Sequence, residues 1–210
     1  MKKSEKTRQF IIEQTAPIFN TKGVAATAVS DVMQATNMAR GGLYVHFKDL
    51  EELSQCAAEW NLKQFVEKTS SEAEKYITAK AKFFGMLDYL SDPLNPPVLG
   101  GCPMMNFGME ADDTNPVIRE MVKDTICTVQ QGMTDILKQG VKNGEFRKTW
   151  NYKEFALKAY AMIEGGILVS RVSKDISQMK LLVKLLKKEI ETEAVETTQK
   201  VIKKSVNKSK

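Results

Sequence analysis

The chain is poor in the residues on which most catalytic and metal chemistry depends. It holds a single histidine, His46, among 210 residues. A general base needs an orienting partner, and a zinc-binding helix needs a second histidine one turn away; His46 has neither in sequence. Three cysteines, Cys56, Cys102 and Cys127, stand far apart with no CxxC spacing. Neither a disulfide framework nor a zinc site is expected, and reduced thiols fit a cytoplasmic location. GGLYVHF lacks the phosphate-loop pattern, and VLGGC at 98–102 has no lysine after it. No enzymatic activity, no metal and no cofactor are expected. No apolar run approaches the roughly 20 residues that cross a bilayer. The start, MKKSEKTRQF, has lysines but no following apolar signal region. No membrane association is expected. Strand-and-turn series and internal repeats are missing as well, and the one low-complexity stretch is a lysine-rich end.

Hydrophobic residues make up 42% of the chain, enough for a sizeable core or for a small domain joined to a larger one. The net charge is +5, and its placement says more than its size. Residues 1–50 carry seven Lys and Arg against four Asp and Glu, and residues 196–210 carry five against one, so the middle is slightly acidic. Lys2, Lys3, Lys6 and Arg8 would draw phosphate in a salt-dependent way, or form a frayed solvated end; both readings stand. The last fifteen residues, ETTQKVIKKSVNKSK, read as a flexible tail.

Apolar spacing predicts helices almost throughout, hence an all-α fold. The first covers 4–22, with Ile12, Ala16 and Phe19 on its buried stripe and Pro17 interrupting it. A long connector starts at Asp49 and carries Leu53, Ala57, Trp60 and Gln64 along one line. Another helix is expected over 71–91. Three prolines and two glycines in DPLNPPVLGGC make 92–102 a loop. PMMNFGMEA follows as a short helix opened by Pro103. Further helices are predicted over 116–141, 152–172 and 175–192.

The most telling stretch is 23–53, GVAATAVSDVMQATNMARGGLYVHFKDLEEL. It reads as two short helices joined by a tight turn, followed by a third that is capped at its start. Thr27 is placed to cap the first, whose Val29, Val32 and Met33 face one way. Asn37 tolerates the left-handed backbone of the corner. The second helix, Met38 to Phe47, turns Met38, Leu43 and Phe47 inward. Arg40, Gly41, Gly42, Tyr44 and His46 are left on the outer face. Two adjacent glycines cost a short helix roughly 1 kcal/mol each relative to alanine, so close approach to another surface explains them better than scaffolding does. Arg40 has the fork for a guanine edge, while Tyr44 and His46 can donate to phosphate. Asp49 and Glu52 form a capping box, and a helix N-terminus with Lys48 beside it suits a phosphate.

Residues 8–60 resemble the DNA-binding domain of the TetR/AcrR family of bacterial transcriptional repressors. Phe19, Gly23, Thr27, Val32, Leu43, Tyr44, His46 and Phe47, then the charged start Asp49 to Leu53, carry the likeness. Ala39 stands where that family usually has a Ser or Thr cap, Gly42 where it often has a hydroxyl, and Leu50 where it commonly has a lysine. The resemblance implies an N-terminal three-helix helix-turn-helix domain (1–50) and a C-terminal helical effector-binding and dimerisation domain (51–195), after which composition leaves the lysine-rich tail (196–210). The DNA-contacting set is then Thr27, Ser30, Arg40, Gly41, Gly42, Tyr44, His46 and Lys48. GCPMMNFGMEAD resembles a segment that many members carry ahead of their pocket and dimer helices.

Soft and aromatic side chains in the second domain suggest walls for a small, largely apolar effector: Phe83, Met86, Met104, Met105, Phe107, Met109, Met133 and Tyr160. Each is equally readable as ordinary packing. Cys102, after two glycines and before a proline, is either a reactive thiol that senses electrophiles or oxidants, or a small buried residue. For a homodimer the expected contacts are Ile163, Gly166, Ile167, Leu182 and Leu186; the same stripes could instead fold back on their own chain. Two heads would read a palindromic double-stranded operator. The expected function is therefore an effector-released repressor. The alternatives are a thiol-based regulator through Cys102, or a non-catalytic helical adaptor whose basic head meets an acidic partner. Competition by duplex DNA at low salt separates the adaptor from the regulator.

Overall fold

Helix α1 (Lys3–Lys22) runs unbroken past Pro17. Its stripe buries Ile11, Ala16 and Phe19 completely against α4 (Leu50–Glu74), where Leu53, Ala57, Ala58 and Leu62 wait. A buried side chain of this size is worth about 1.5–3 kcal/mol. Asn61, itself buried, donates to the carbonyls of Ala16 and Ala57 at 2.7 and 2.9 Å and ties the two helices together. The structure is a computed structural model describing residues 3–195; Lys2 and the tail expected at 196–210 lie outside the described residues.

Between α1 and α4 come α2 (Val29–Thr36) and α3 (Arg40–Leu43), which drop Val32, Leu43 and Phe47 into the same core. The inner faces of α2 and α3 thus depend on the first half of α4. Asp49 caps α4 as expected, accepting the Glu52 N–H at 2.8 Å. Glu52 reaches back to the Lys48 N–H at 2.7 Å rather than to Asp49.

The single helix expected over 71–91 is two. α4 ends at Glu74, and α5 (Ala79–Tyr89) begins after Thr78, whose hydroxyl accepts the Ala81 N–H at 3.1 Å. A carboxylate distant in sequence completes that start: Glu145 accepts the N–H groups of Ala79 and Lys80, each at 3.1 Å. The proline-rich stretch stays non-helical, and α6 (Pro103–Ala111) opens on Pro103 as predicted. The long helices α7 (Pro116–Lys142), α8 (Tyr152–Ser173) and α9 (Ser177–Glu193) complete the body. Phe146, Trp150 and Phe155, the last in α8, pack in series, the first pair T-shaped and the second tilted, with ring centroids 5.1 and 5.2 Å apart. The chain is all-α, an N-terminal helix-turn-helix followed by a C-terminal helical domain. Among the described residues no helix is long and apolar enough to cross a membrane.

Candidate nucleic-acid interface

The corner between α2 and α3 turns on Asn37, which adopts the left-handed conformation at φ 53° that the sequence suggested. α3 is much shorter than the predicted Met38–Phe47 helix. It spans Arg40–Leu43 and gives way to a turn in which the His46 N–H bonds the Leu43 carbonyl. Its N-cap, Ala39, offers no side-chain acceptor, and two glycines follow, so little local propensity sustains a longer helix.

On the outer face Arg40 and Gly41 are exposed, and a Cβ added to Gly41 would meet open space. Gly42 is half-buried against Met38. The Arg40 guanidinium lies 5.7 Å from the Tyr44 ring centroid, one turn away. Tyr44, Lys48 and Ser30 are exposed and His46 is half-buried. Thr27 departs from expectation. Its side chain is 3% exposed and its hydroxyl donates to the Gly23 carbonyl at 2.6 Å, so it neither caps α2 nor reaches the surface. Ala28 takes the cap position, with its N–H bonded to Asp31 at 2.8 Å. Lys22, 2.6 Å from Asp31, holds that carboxyl below its ordinary range, helped by the Ala28 N–H.

One residue of this face escaped the sequence reading. Val45 is 78% exposed, an apolar side chain standing out from the turn. It lies between the inward Leu43 and Phe47, which was signal enough to place it outside. Arg8 was expected to draw phosphate. Instead its guanidinium stacks 4.2 Å over the Phe47 ring and donates to the His46 carbonyl at 3.1 Å and to Glu52 at 2.9 Å. It also reaches the Cys56 sulfur at 3.2 Å. No local pattern encodes that staple, because its partners lie 38 to 48 residues away.

The residues expected to wall a pocket do not converge on one cavity. Met86 and Met133 share a cleft of about 310 Å³ with Thr69, Ala73, Val129 and Ile136, between α4, α5 and α7. Phe107 lines a different cleft, of about 440 Å³, beside Leu50 and Ile118. Met104 lies 3.9 Å from the Tyr160 hydroxyl, and Phe83 packs on Phe155. Met105 is half-buried, while Met109 is 75% exposed and walls nothing, because α6 turns Met104, Phe107 and Ala111 inward.

Cys102 is 2% exposed, and its thiol lies 3.4 Å from Glu164. Burial and the neighbouring carboxylate push that thiol well up, which leaves it protonated and poorly nucleophilic. This is the buried alternative, not the reactive one. Burial likewise raises Glu164 and Tyr160 above their usual ranges.

The predicted dimer contacts are turned inward. Ile163, Gly166, Ile167 and Leu186 are buried within one chain, and Leu182 is half-buried. A Cβ on Gly166 would stand 2.5 Å from the Met179 sulfur, so that glycine admits α9 of the same chain. The outward stripe lies one step round α8 and α9: Leu157, Gly165, Leu168 and Val172, with Leu181 and Leu185.

Comparison with known proteins agrees with this architecture. The family model "Bacterial regulatory proteins, tetR family" matches residues 11–55, and "Tetracyclin repressor-like, C-terminal domain" matches residues 80–186. A TetR-family transcriptional regulator from Cytophaga hutchinsonii is 31% identical with a TM-score of 0.85, over 93% of this chain and 98% of that one. A TetR transcriptional regulator from Chloroflexus aurantiacus is 30% identical, also at a TM-score of 0.85, over 92% and 98%. The transcriptional regulator TtgR of Pseudomonas putida is 24% identical over 171 residues, 78% of this chain and 80% of that protein. The chain belongs to the TetR family of DNA-binding transcriptional regulators.

Proposed function

We propose that the protein is a repressor that binds a palindromic operator as a homodimer and is released by a small, largely apolar effector. The observation that carries this reading is the open face of α3, where bare Gly41 lies between exposed Arg40 and the Tyr44 ring. Bare backbone lets the stub enter the major groove. Arg40 then forks onto a guanine edge, and Tyr44, His46 and Ser30 bond phosphate. Lys48 and the first N–H groups of α4 hold a further phosphate. Gly42 serves close approach, and the buried Thr27 supports the turn from behind.

The reading head corresponds to residues 1–50 and the effector and dimer domain to 51–195, with α4 running through the boundary. The exposed apolar stripe of α8 and α9 supports pairing of two chains, which sets two heads at half-site spacing. The cleft beside Met86 and Met133 is the best-supported effector site, since it lies against the connecting helix α4. An effector with higher affinity for a different head spacing lowers operator affinity by the ratio of its affinities for the two states. A DNA-bound role places the protein in the cytoplasm.

Footprinting on the upstream intergenic region tests the reading. Protection of an inverted repeat is expected. Replacing both Arg40 and Tyr44 by alanine should weaken occupancy about ten- to a hundredfold, the equivalent of losing about 1–3 kcal/mol at a base contact. Intact occupancy in that double variant would overturn it.

A further inference from the structure

We infer that Glu110 is the positioning residue by which α6 holds the reading head in a fixed orientation on the body, an inference that rests on the regulator reading above. Both oxygens of its carboxylate are engaged. One accepts the Val24 N–H at 2.7 Å and the other the Ala25 N–H at 2.6 Å. These two amides lie in the turn that leads from α1 to α2, and 85 or 86 residues separate them from Glu110. The preceding Gly23 has φ +88°, and a Cβ there would stand 2.9 Å from the carboxylate. A left-handed residue followed by free N–H groups makes a concavity that binds an anion. Here the anion is a side chain of the other domain. The contact uses only backbone on the head side, so it fixes position and leaves the head's own side chains free.

A second contact one turn earlier on α6 makes the grip rigid. Asn106 donates to the Asn20 carbonyl at 2.8 Å and to the Gly100 carbonyl at 3.0 Å. Asn20 in turn donates to the Leu99 carbonyl at 2.8 Å. Residues 106 and 110 share one face of α6. They hold the end of α1 and the turn after it, two points on the head. The asparagine contacts hold the end of α1, and Glu110 adds a second point of attachment on the turn that follows it. Met104 and Phe107 of the same helix are buried, so any shift of α6 would reach the head through Asn106 and Glu110.

The test uses the full chain with Glu110→Ala and Glu110→Gln. Amide exchange at Val24 and Ala25 should accelerate about tenfold or more in Glu110→Ala while the amides of Ile11 and Leu137 keep their protection. Glu110→Gln, which retains one acceptor oxygen, should fall between that variant and wild type. Affinity for a random-sequence duplex at low salt should drop about three- to tenfold in Glu110→Ala, because loosely held heads lose effective concentration for the second contact. Simple electrostatics predicts the reverse, since removing a carboxylate near DNA favours binding. Unchanged exchange at Val24 and Ala25 overturns the proposal, as does equal or tighter duplex binding by Glu110→Ala. If wild type binds no duplex, the regulator reading fails and the exchange arm alone decides whether Glu110 holds the head.

Discussion

At the scale of single residues, what matters is which partners a side chain reaches. Arg8 contacts a carbonyl, a carboxylate, a sulfur and an aromatic face, and joins α1 to both the end of the α3 turn and the start of α4. Arg8→Ala should destabilise the protein by about 1–3 kcal/mol in chemical denaturation, and Arg8→Lys should not restore it, because a point-like ammonium cannot serve a planar fork. Cysteine chemistry sorts by burial. Cys127 is exposed, Cys56 is half-buried with its thiol pushed up by burial, and Cys102 is enclosed. A thiol reagent added to native protein should modify Cys127 first, Cys56 slowly and Cys102 only on unfolding, as read by peptide mass. Labelling of native Cys102 would revive the thiol-sensor alternative. Glu164 gives a pH signature. Burial raises its folded carboxyl above the ordinary 4.5, so the stability it contributes is full below that pH and is lost as pH rises through the raised value. Glu164→Gln should flatten this decline and stabilise the neutral protein by about 1–2 kcal/mol in thermal unfolding curves taken from pH 4 to pH 8.

At the scale of elements, local chemistry made some boundaries readable and tertiary contacts hid others. Pro103 and Pro116 fixed the starts of α6 and α7, and Asn37 marked the corner, because each acts on its own backbone. The break after Glu74 was only partly readable: Thr78 caps α5 locally, but the carboxylate that completes that start comes from Glu145. The expected dimer contacts Ile163, Gly166 and Ile167 are buried within one chain for a geometric reason: Gly165 and Gly166 are adjacent, and one residue turns a helix by about 100°. Alanine at a glycine packed against a neighbour and at one that faces open space should act oppositely, as Gly166 and Gly41 show. Gly166→Ala drives a Cβ into Met179 and Leu182 and should cost about 1–3 kcal/mol. Gly41→Ala faces open space and should stabilise the short helix by up to about 1 kcal/mol, while weakening duplex binding because the stub no longer seats as closely. Parallel denaturation and DNA titrations of both variants check this; a Gly41→Ala protein that binds as well as wild type removes the close-approach argument.

At the scale of the whole molecule, the head was legible because its pattern is contiguous, whereas the body was legible in its helices but not in its cavities. The pocket residues scatter over separate clefts because apolar spacing reports that a side chain is inward and not which cavity it meets. The same limit applied to assembly. Once α8 and α9 have buried Ile163, Ile167 and Leu186, their remaining large apolar surface is Leu157, Leu168, Val169, Val172, Leu181 and Leu185, each between 39% and 76% exposed. An apolar stripe on two adjacent helices is self-complementary under a two-fold axis, which places the same residues on both sides of the contact. Light scattering of wild type at micromolar concentration should give twice the chain mass. A Leu168→Glu, Leu185→Glu double variant should give the single-chain mass with unchanged helical circular dichroism, because neither side chain supports its own chain's core. Its affinity for a two-half-site operator should fall by about 10²–10⁴, the loss expected when two linked contacts become one. A variant that stays dimeric would move the interface elsewhere, and a monomeric variant that binds the operator at full strength would break the link between pairing and DNA recognition.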